Sequence, residues 1–234
     1  MCQGKNHLGK LTLTIISNIN EYQIICNGNV SMENLEIEVK FFLADMDRIR
    51  DRIIELGAMS MGRVFETNIR FDDADNRLIQ EKSLLRLRQD TKSTLTFKSE
   101  PPFKDDQFKI LRELEVEVSD FTTMKNILES LGFREEQVYE KWRETFMLNS
   151  TNLCLDTMPY GNFLEIEGQK EDIKKLASQI GLKWKKRILL NYLAIFDVIK
   201  QKSNLPFYDV TFSNFINIRF DLSKHLDRLE VNRH

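Results

Sequence analysis

Acidic and apolar residues alternate in three short segments of the chain. These segments are Leu35-Glu36-Ile37-Glu38-Val39-Lys40-Phe41, Leu114-Glu115-Val116-Glu117-Val118 and Leu164-Glu165-Ile166-Glu167-Gly168. Because successive side chains of a β-strand point to opposite faces, each segment places its carboxylates on one face. Carboxylates that face one another repel, and they stay ionised together when cations lie among them. The three segments therefore predict strands whose polar faces meet around metal ions and a counter-charged ligand.

Basic residues alternate with apolar ones in three other segments. The segments are Ser83–Asp90, Thr94–Ser99 and Val138–Leu148. Arg86 and Arg88 share one face of the first segment, Lys98 lies on the second, and Lys141 and Arg143 share one face of the third. Lysine and arginine bind phosphate oxygens, whereas carboxylates bind hard divalent cations such as Mg²⁺ or Mn²⁺, which bridge to further phosphate oxygens. A polyphosphate bound together with a divalent cation therefore explains both sets of residues. The acidic set is Glu36, Glu38, Glu113, Glu115, Glu117, Asp156, Glu165 and Glu167, and the basic set is Lys40, Arg86, Arg88, Lys98, Lys141 and Arg143.

The same alternation is usual on strands that simply turn a polar face to water. On that interpretation each pair of charges is a solvated face with no further role. Two features favour a shared interior instead: the acidic pattern occurs three times in a repeating context, and acidic and basic residues are segregated into different strands. Salt bridges on a surface sheet account for alternation of charge but not for this segregation. Arg112 is adjacent to the acidic set but lies on the opposite face of its strand.

Eight predicted strands and the helices between them must position these side chains. The strands are expected at about 35–42, 63–71, 83–90, 94–99, 109–118, 138–148, 153–156 and 164–168. Each acidic strand is followed by a helical stretch that ends at a glycine, namely Gly57, Gly132 and Gly181. A closed barrel leaves no free strand edge, and its interior receives every second side chain. We therefore expect an α+β protein with an eight-stranded antiparallel β-barrel, a charged interior and helices packed outside.

The composition of the 234 residues is that of an ordinary globular protein. Charged residues make up 30% and hydrophobic residues 41%, and the formal net charge is −2, so no basic field favours a nucleic-acid partner. The three cysteines, Cys2, Cys26 and Cys154, have no metal-ligand spacing and fit a reducing compartment. No apolar run approaches the roughly 20 residues of a membrane span. We expect a cytoplasmic protein that binds neither membranes nor nucleic acids.

Three regions are expected along the chain. Residues 1–31 have no periodic pattern, and we interpret them as a disordered extension or as the result of a misplaced translation start, with Met32 as the functional beginning. Residues 32–196 hold the charged strands, and their last part, 183–196, forms a strand or a helix. Residues 197–234 combine an apolar stretch with a charged tail, and they form either a cap on the barrel or a loose appendage.

The ordered set of charged motifs resembles the CYTH domain, the family of triphosphate tunnel metalloenzymes. The resemblance covers about residues 33–196, and its motifs are Glu36-x-Glu38-x-Lys40, Leu85-Arg86-Leu87-Arg88, Thr96-Phe97-Lys98, Arg112-Glu113-Leu114-Glu115-Val116-Glu117, Lys141-Trp142-Arg143, and Leu155-Asp156 followed by Gly161-Asn162-Phe163-Leu164-Glu165-Ile166-Glu167. The family includes class IV adenylate cyclases, thiamine triphosphatases and inorganic triphosphatases. The resemblance implies an eight-stranded antiparallel tunnel that binds a triphosphate with Mg²⁺ or Mn²⁺. By resemblance alone, a homodimer is also expected.

The resemblance also implies a role for each charged residue. The metal ligands are expected to be Glu36, Glu38, Asp156, Glu165 and Glu167, with Glu115 and Glu117 as a third acidic block that binds metal or supports the cations. Phosphate binding is implied for Lys40, Arg86, Arg88, Lys98, Lys141 and Arg143. The C-terminal basic residue of the family has Arg187 as its candidate here. We expect Lys98 nearest the reacting phosphorus, and Glu165 or a hydroxide on the metal as the base.

Three functions remain open at this point. The resemblance is closest to the class IV adenylate cyclases, and it rests on the two-part LRLR and TFK block and on the run from Leu131 to Arg143. In those enzymes the ribose 3′-hydroxyl of ATP attacks the α-phosphorus and yields cyclic AMP and pyrophosphate. Attack of water on the γ-phosphorus would instead make the protein a triphosphatase that hydrolyses tripolyphosphate, thiamine triphosphate or a nucleoside triphosphate. A non-catalytic sensor of polyphosphate or nucleotide would keep the basic set, but clustered carboxylates without a metal would destabilise its barrel.

Overall fold

The computed structural model describes residues 34–218 and 221–231, and the predicted extension 1–31 lies outside these residues. The strands are β1 (Leu35–Leu43), β2 (Met59–Asp72), β3 (Leu84–Gln89), β4 (Ser93–Ser99), β5 (Lys109–Val118), β6 (Arg134–Leu148), β7 (Thr151–Met158) and β8 (Gly161–Glu167). The α-helices are α1 (Met46–Glu55), α2 (Arg77–Gln80), α3 (Phe121–Ser130), α4 (Lys170–Ile180), α5 (Tyr192–Ser203) and α6 (Phe212–Phe215). Short 3-10 helices cover Trp184–Lys186 and Leu222–Arg228.

The eight strands close into one antiparallel barrel. Their order around the barrel is β1-β5-β4-β3-β2-β6-β7-β8, and the ring is completed where β1 pairs with β8. Every strand of the barrel thus has a hydrogen-bonded neighbour on both sides, which removes the free edges of an open sheet. The predicted fold class, an α+β protein built on an eight-stranded antiparallel barrel, is confirmed.

Two of the three long helices after the acidic strands begin at a capping aspartate, and all three helical stretches end at the expected glycine. The carboxylate of Asp45 accepts a hydrogen bond from Arg48 N at 3.0 Å, and that of Asp120 accepts one from Thr123 N at 2.6 Å. These bonds satisfy backbone donors that lack a partner in the first helical turn. The stretches end at residues with φ of +84°, +92° and +86°, a left-handed conformation that favours glycine; the residues are Gly57, Gly132 and Gly181.

The apolar faces of the strands lie outside the barrel, under the helices. Val39 and Phe41 of β1 are buried together with Ile49 and Ile53 of α1 and Ile173 of α4. A second cluster joins the outer faces of β2 and β3 to α3. Burial of each large apolar side chain stabilises the folded protein by roughly 1.5–3 kcal/mol. The core therefore surrounds the barrel, and the barrel interior is left to the polar faces.

The residues after β8 cover one end of the barrel. The 183–196 segment forms a 3-10 turn and then enters α5, which continues to Ser203. Residues of α5 and of the following segment pack against Tyr139, Met158 and Phe163, which lie at the same end of β6, β7 and β8. Val210 also bonds to β6, since Val210 N donates to Val138 O at 2.8 Å. The described part of 197–234 thus packs on the barrel, while the predicted domain limits stay a prediction.

No helix among the described residues is both long enough and apolar enough to cross a membrane.

Candidate active site

A cavity of about 780 Å³ lies inside the barrel and is lined mainly by charged side chains. It receives alternate residues of the strands, because the apolar residues between them point outward to the helices. Glu113, which belongs to the acidic set, also lines this cavity. The predicted site residues that the cavity brings together are Glu36, Glu38, Lys40, Arg86, Arg88, Lys98, Glu115, Lys141, Arg143, Glu165 and Glu167.

Three of the predicted residues do not line this cavity. Asp156 is fully buried in the barrel wall, where other side chains bind its oxygens. Glu117 lies at the end of β5 with 64% of its side chain exposed, and its carboxylate is 3.1 Å from Lys92 Nζ. Arg187 is buried, and its guanidinium donates to backbone carbonyl oxygens, including that of Gln107 at 2.9 Å. This arginine therefore holds the loop before β5 in place.

Lys40 lies between two buried carboxylates on adjacent strands. Its Nζ is 2.5 Å from Glu38 and 2.8 Å from Glu165, and Glu38 also accepts a hydrogen bond from Lys109 at 2.7 Å. Burial alone would raise the pKa of Glu38, but Lys109 and Lys40 outweigh it and lower that pKa to about 2. Burial alone would likewise lower the pKa of Lys40, and the two carboxylates raise it instead. Glu38 and Lys40 are therefore charged at neutral pH.

Asp156 organises a second group of buried charges. Arg143 donates to its two oxygens at 2.7 and 2.5 Å and also reaches Glu165 at 2.8 Å. Lys141 Nζ lies 3.3 Å from Asp156, and the hydroxyl of Tyr192 donates to it at 2.7 Å. Such a bidentate arginine–carboxylate pair fixes the guanidinium in one orientation. We call the charged inner residues of β1, β6, β7 and β8 the paired wall.

Glu66 completes this network from the other side. Its carboxylate is 3.4 Å from Lys141 and 3.7 Å from Arg143, and only 2% of its side chain is exposed. Burial alone would raise the pKa of Glu66, but the charges of Lys141 and Arg143 prevail and lower it to about 2. The two cations of β6 therefore have carboxylate partners on both sides, Glu66 and Asp156.

The donors at the β1–β8 seam have the chemistry that a hard divalent cation needs. Glu36, Glu38, Glu165 and Glu167 offer carboxylate oxygens, which Mg²⁺ and Mn²⁺ prefer. Burial and the charge of Glu38 raise the pKa of Glu36, and burial with the charges of Glu36 and Glu165 raises the pKa of Glu167 to about 7. Negative charge is thus incompletely balanced at this seam, which fits a cation.

The carboxylates at this seam are bound to lysines in the structure. Glu36 pairs with Lys98, and Glu38 pairs with Lys40 and Lys109. Across the described ranges, no three acidic, histidine or cysteine side chains converge as a ready metal site. For Glu36, Glu38 and Glu165, binding of a metal ion would therefore involve exchange of a lysine partner for the ion.

Apart from Glu66 and Lys98, the inner faces of β2, β3 and β4 carry polar groups with fewer close partners, and we call these groups the arginine wall. Arg86 donates to Thr96 Oγ1 at 3.1 Å and to the Tyr139 hydroxyl at 3.4 Å, while Glu115 and Glu113 lie 3.8 and 3.9 Å away. Buried polar atoms without partners destabilise a folded protein. Within residues 34–218 and 221–231, the buried side-chain atoms that lack a hydrogen bond all belong to this wall: Asn68 Oδ1, Arg70 Nε, Arg86 Nε, Arg88 Nε and Thr94 Oγ1.

Several residues of the site lie outside the predicted set. They are Glu66, Arg70, Lys109, Tyr139 and Tyr192. Glu66 and Arg70 alternate with apolar residues on β2 in the pattern used for the other strands, and Lys109 shares the parity of Glu113, so the same signal was present for all three. Tyr192 begins a helix, where no alternation marks it.

The charged motifs agree with known proteins. A family model described as the CYTH domain matches residues 34–193, more than half of the chain, and this confirms the resemblance drawn from the motifs. A protein of Methanocaldococcus jannaschii named "Putative adenylate cyclase" is 28% identical over 143 residues, which are 60% of this chain and 81% of that protein.

Solved structures show the same fold. The PH1012 protein of Pyrococcus horikoshii is 28% identical, with a TM-score of 0.58 over 67% of this chain and 96% of that chain. A Hippeastrum protein, described as a "putative adenylyl cyclase" with a dominant triphosphatase activity, is 19% identical, with a TM-score of 0.53 over 70% of this chain and 95% of that chain. At this identity, the Hippeastrum structure supports the fold alone.

Proposed function

Since the chain belongs to the CYTH domain family, we propose that it is a metal-dependent enzyme that acts on a triphosphate. The first reaction we propose is that of a class IV adenylate cyclase, which converts ATP into cyclic AMP and pyrophosphate. The observation that carries the proposal is the cavity in which the carboxylates of β1 and β8 face the lysines and arginines of β3, β4 and β6. The name of the M. jannaschii relative supports placing the cyclase first.

The basic residues of the cavity would bind the phosphate oxygens. The guanidinium groups of Arg86, Arg88 and Arg143 offer paired N–H donors that match a phosphate, and the lysines add compact positive charges. Because these side chains are largely buried, water screens their attraction for an anion less than at a surface. The lysines in this proposed set are Lys40, Lys98 and Lys141.

The carboxylates at the β1–β8 seam would hold Mg²⁺ or Mn²⁺. We assign this role to Glu36, Glu38, Glu165 and Glu167, and we leave Asp156 to the support of Arg143 and Lys141, since these cations and Tyr192 already bind its oxygens. A bound divalent cation neutralises phosphate charge and aligns the triphosphate for in-line attack. Glu115 lies at the rim of the cavity, where it supports Arg88 at 3.6 Å.

Lys98 and Glu165 are the proposed catalytic residues. Lys98 is 3.2 Å from Glu113 and also pairs with Glu36, so its ammonium group is held inside the cavity, where it would stabilise charge on the reacting phosphate. Burial alone would raise the pKa of Glu165, but Lys40 and Arg143 hold it well below its usual range. Its carboxylate is therefore ionised at neutral pH, as a proton acceptor requires.

In the cyclase reaction, the bond between the ribose 3′-oxygen and the α-phosphorus forms while the bond from that phosphorus to the bridging oxygen breaks. The hydroxyl proton passes to the carboxylate of Glu165, and pyrophosphate leaves with the bonding electron pair. The arginines and lysines neutralise the charge that develops on the leaving group.

A triphosphatase is the second candidate, and the lining of the cavity favours it. Charged side chains greatly outnumber apolar ones there, so the site is built to bind phosphates more than an aromatic base. With water in place of the 3′-hydroxyl, the same residues would hydrolyse the terminal phosphate of tripolyphosphate, thiamine triphosphate or a nucleoside triphosphate.

Product analysis separates these functions. The purified protein is incubated with ATP, tripolyphosphate and thiamine triphosphate, each with Mg²⁺ or Mn²⁺ and each with excess chelator. Cyclic AMP identifies the cyclase and orthophosphate the triphosphatase, and we expect turnover to stop when the metal is chelated. Binding of a triphosphate without turnover would contradict the proposal and point to a sensor.

A matched pair of variants tests the site itself. Glu38→Ala removes a buried carboxylate of the cavity, and we expect turnover per folded molecule to fall on the order of 100-fold, with the folded fraction measured by circular dichroism because Lys40 and Lys109 lose their partner. Glu129→Ala removes an exposed carboxylate of α3 and serves as the control, with turnover unchanged. Equal turnover in both variants would remove Glu38 from the site.

A further inference from the structure

Two arginines face each other on the inner surface of β2 and β3. Arg70 and Arg86 are directly paired across the strands, and both line the cavity. Directly opposed residues of antiparallel strands have Cβ atoms about 4.5–5.5 Å apart, and like charges in this position repel. The fold thus places two positive charges side by side at a site that is largely shielded from water.

Carboxylates of the protein offset this repulsion in part, and they do so at Arg86, where Glu66, Glu113 and Glu115 contribute negative charge. Among the described residues, no carboxylate lies within the 4.0 Å ion-pair distance of Arg70, and those nearest to Arg86 lie at 3.8 and 3.9 Å. Asp197 of α5 is close enough to be affected by Arg70: burial raises the pKa of Asp197, and the charge of Arg70 partly opposes the rise. The Nε atoms of both arginines are buried without a hydrogen-bond partner, and Arg86 is only 8% exposed.

We propose that Arg70 and Arg86 form a two-arginine seat for one phosphate group of the substrate. The anion would accept hydrogen bonds from both guanidinium groups, and its negative charge would offset their mutual repulsion. The proposal rests on the proposed function for the identity of the anion, a phosphate of the triphosphate. It adds Arg70 as a substrate-binding residue on β2, a strand to which the sequence motifs assign none.

The position of the pair gives the seat its place in the cavity. Arg86 is flanked on β3 by Arg88, whose side chain points the same way about two residue rises along the strand, roughly 7 Å. Arg70 lies directly beside Arg86 on β2, whereas Arg88 lies along β3, so the three arginines form a corner with Arg86 at its vertex. A chain of phosphates that passes this corner would contact Arg86 together with Arg70 or Arg88, opposite the carboxylates of β1 and β8.

Two variants of Arg70 and one control test the seat. Arg70→Met removes the charge, Arg70→Lys keeps the charge but loses the planar fork, and Arg63→Met removes an arginine of the same strand that lies against the Trp142 ring on the outer face. Binding of inorganic tripolyphosphate is measured by titration calorimetry in the presence of chelator, so that no metal or turnover is needed. Thermal unfolding of each ligand-free variant is measured in parallel.

The expected result has two parts. Arg70→Met should weaken tripolyphosphate binding about tenfold or more, Arg70→Lys should weaken it less, and Arg63→Met should bind like the unchanged protein. The ligand-free Arg70→Met protein should unfold at the same or a higher temperature, because a repulsion between two neighbouring positive charges has been removed. If Arg70 had only a structural role, Arg70→Met would lower the unfolding temperature and leave the affinity of the folded protein for tripolyphosphate unchanged. Either observation would overturn the proposed phosphate seat.

The outcomes also separate this inference from the proposed enzyme. If triphosphates are turned over but Arg70→Met binds tripolyphosphate normally, the seat is wrong and the enzyme stands. If no triphosphate is turned over but binding still depends on Arg70, the enzyme is wrong and the phosphate seat stands.

Discussion

The paired wall and the arginine wall line the same cavity, but their charges are satisfied differently. On the paired wall, Lys40 lies 2.5 Å from Glu38 and 2.8 Å from Glu165. On the arginine wall, Arg86 has carboxylates only at 3.8 Å or beyond, and its Nε has no partner. Apart from the excess negative charge near Glu167, the first wall is thus neutralised by the chain itself, whereas the second keeps positive charge that a ligand would neutralise.

This difference indicates how the two walls divide stability and binding. Removing one partner from a buried ion pair leaves the other charge uncompensated, which is strongly destabilising. On the arginine wall the ion pairs are longer, at 3.3–3.9 Å, and Glu115 is partly exposed, so removing one of these cations leaves a partner that water can solvate and relieves repulsion among the neighbouring cations. Mutations on the paired wall should therefore affect folding first, and mutations on the arginine wall should affect ligand binding first.

The largest expected effect comes from Asp156→Asn on the paired wall. The change leaves Arg143 and Lys141 buried beside a neutral amide, so we expect the free energy of unfolding to fall by about 3–5 kcal/mol. Urea unfolding followed by circular dichroism measures it. Asp47→Asn, whose side chain is 86% exposed, is the control and should change stability little. A loss below about 1 kcal/mol for Asp156→Asn would mean that the paired wall does not stabilise the barrel.

Glu66→Gln should give a stability loss that depends on pH. Because the pKa of Glu66 is lowered to about 2 in the folded protein, its ionised form stabilises the fold above the unfolded pKa near 4.5, and that stabilisation is lost as pH falls toward 2. We expect a loss on the order of 3 kcal/mol at neutral pH and almost none near pH 2. Chemical unfolding of both proteins across this range measures the difference. A difference that stays constant with pH would contradict the charge pairing of Glu66.

A smaller effect is expected from Tyr192→Phe. The ring keeps its place among the aromatic residues at the end of the barrel, but the hydroxyl no longer donates to Asp156. A hydrogen bond to a charged group contributes about 1.5–3 kcal/mol, and we expect the lower part of that range, because Arg143 and Lys141 still bind Asp156. Thermal unfolding tests this prediction. A loss as large as that of Asp156→Asn would show that Tyr192 is essential to the network.

The smallest effect on stability is expected from Arg88→Met on the arginine wall. The side chain is 3.3 Å from Asp90 and 3.6 Å from Glu115, both near the rim of the barrel. The free energy of unfolding should change by less than about 1 kcal/mol, while affinity for tripolyphosphate should fall. If Arg88→Met unfolds as readily as Asp156→Asn, the two walls do not differ in the way described here.

Much of the barrel could be predicted from the sequence because strand periodicity is a local signal. Glu36 and Glu38 alternate with apolar residues that must be buried, and Gly57 marks where the next helix ends. By contrast, α2 (Arg77–Gln80) was not predicted, since it is a single helical turn directly after an acidic turn. The packing of Val210 on β6 was also unpredicted, because it depends on a contact between distant parts of the chain.

The candidate site was less accessible to prediction, for two physical reasons. Alternation shows which residues share a face but not how far along a strand the cavity extends, so Glu117 has the parity of Glu115 but lies exposed at the end of β5. Alternation also has the same form on a strand that faces water, so nothing local distinguished Glu66 or Arg70 from surface residues. Only the register of β2 against β3 and β6 places these two side chains in the barrel.

The pairing of β1 with both β5 and β8 has a consequence for how the chain folds. On the ribosome, β1 is synthesised long before either partner, since Glu38 pairs with Lys109 and Lys40 pairs with Glu165 much further along the chain. Contacts between such distant residues slow folding, and unpaired strands are prone to aggregate in the meantime. We therefore expect the nascent polypeptide to depend on chaperones until β8 has emerged.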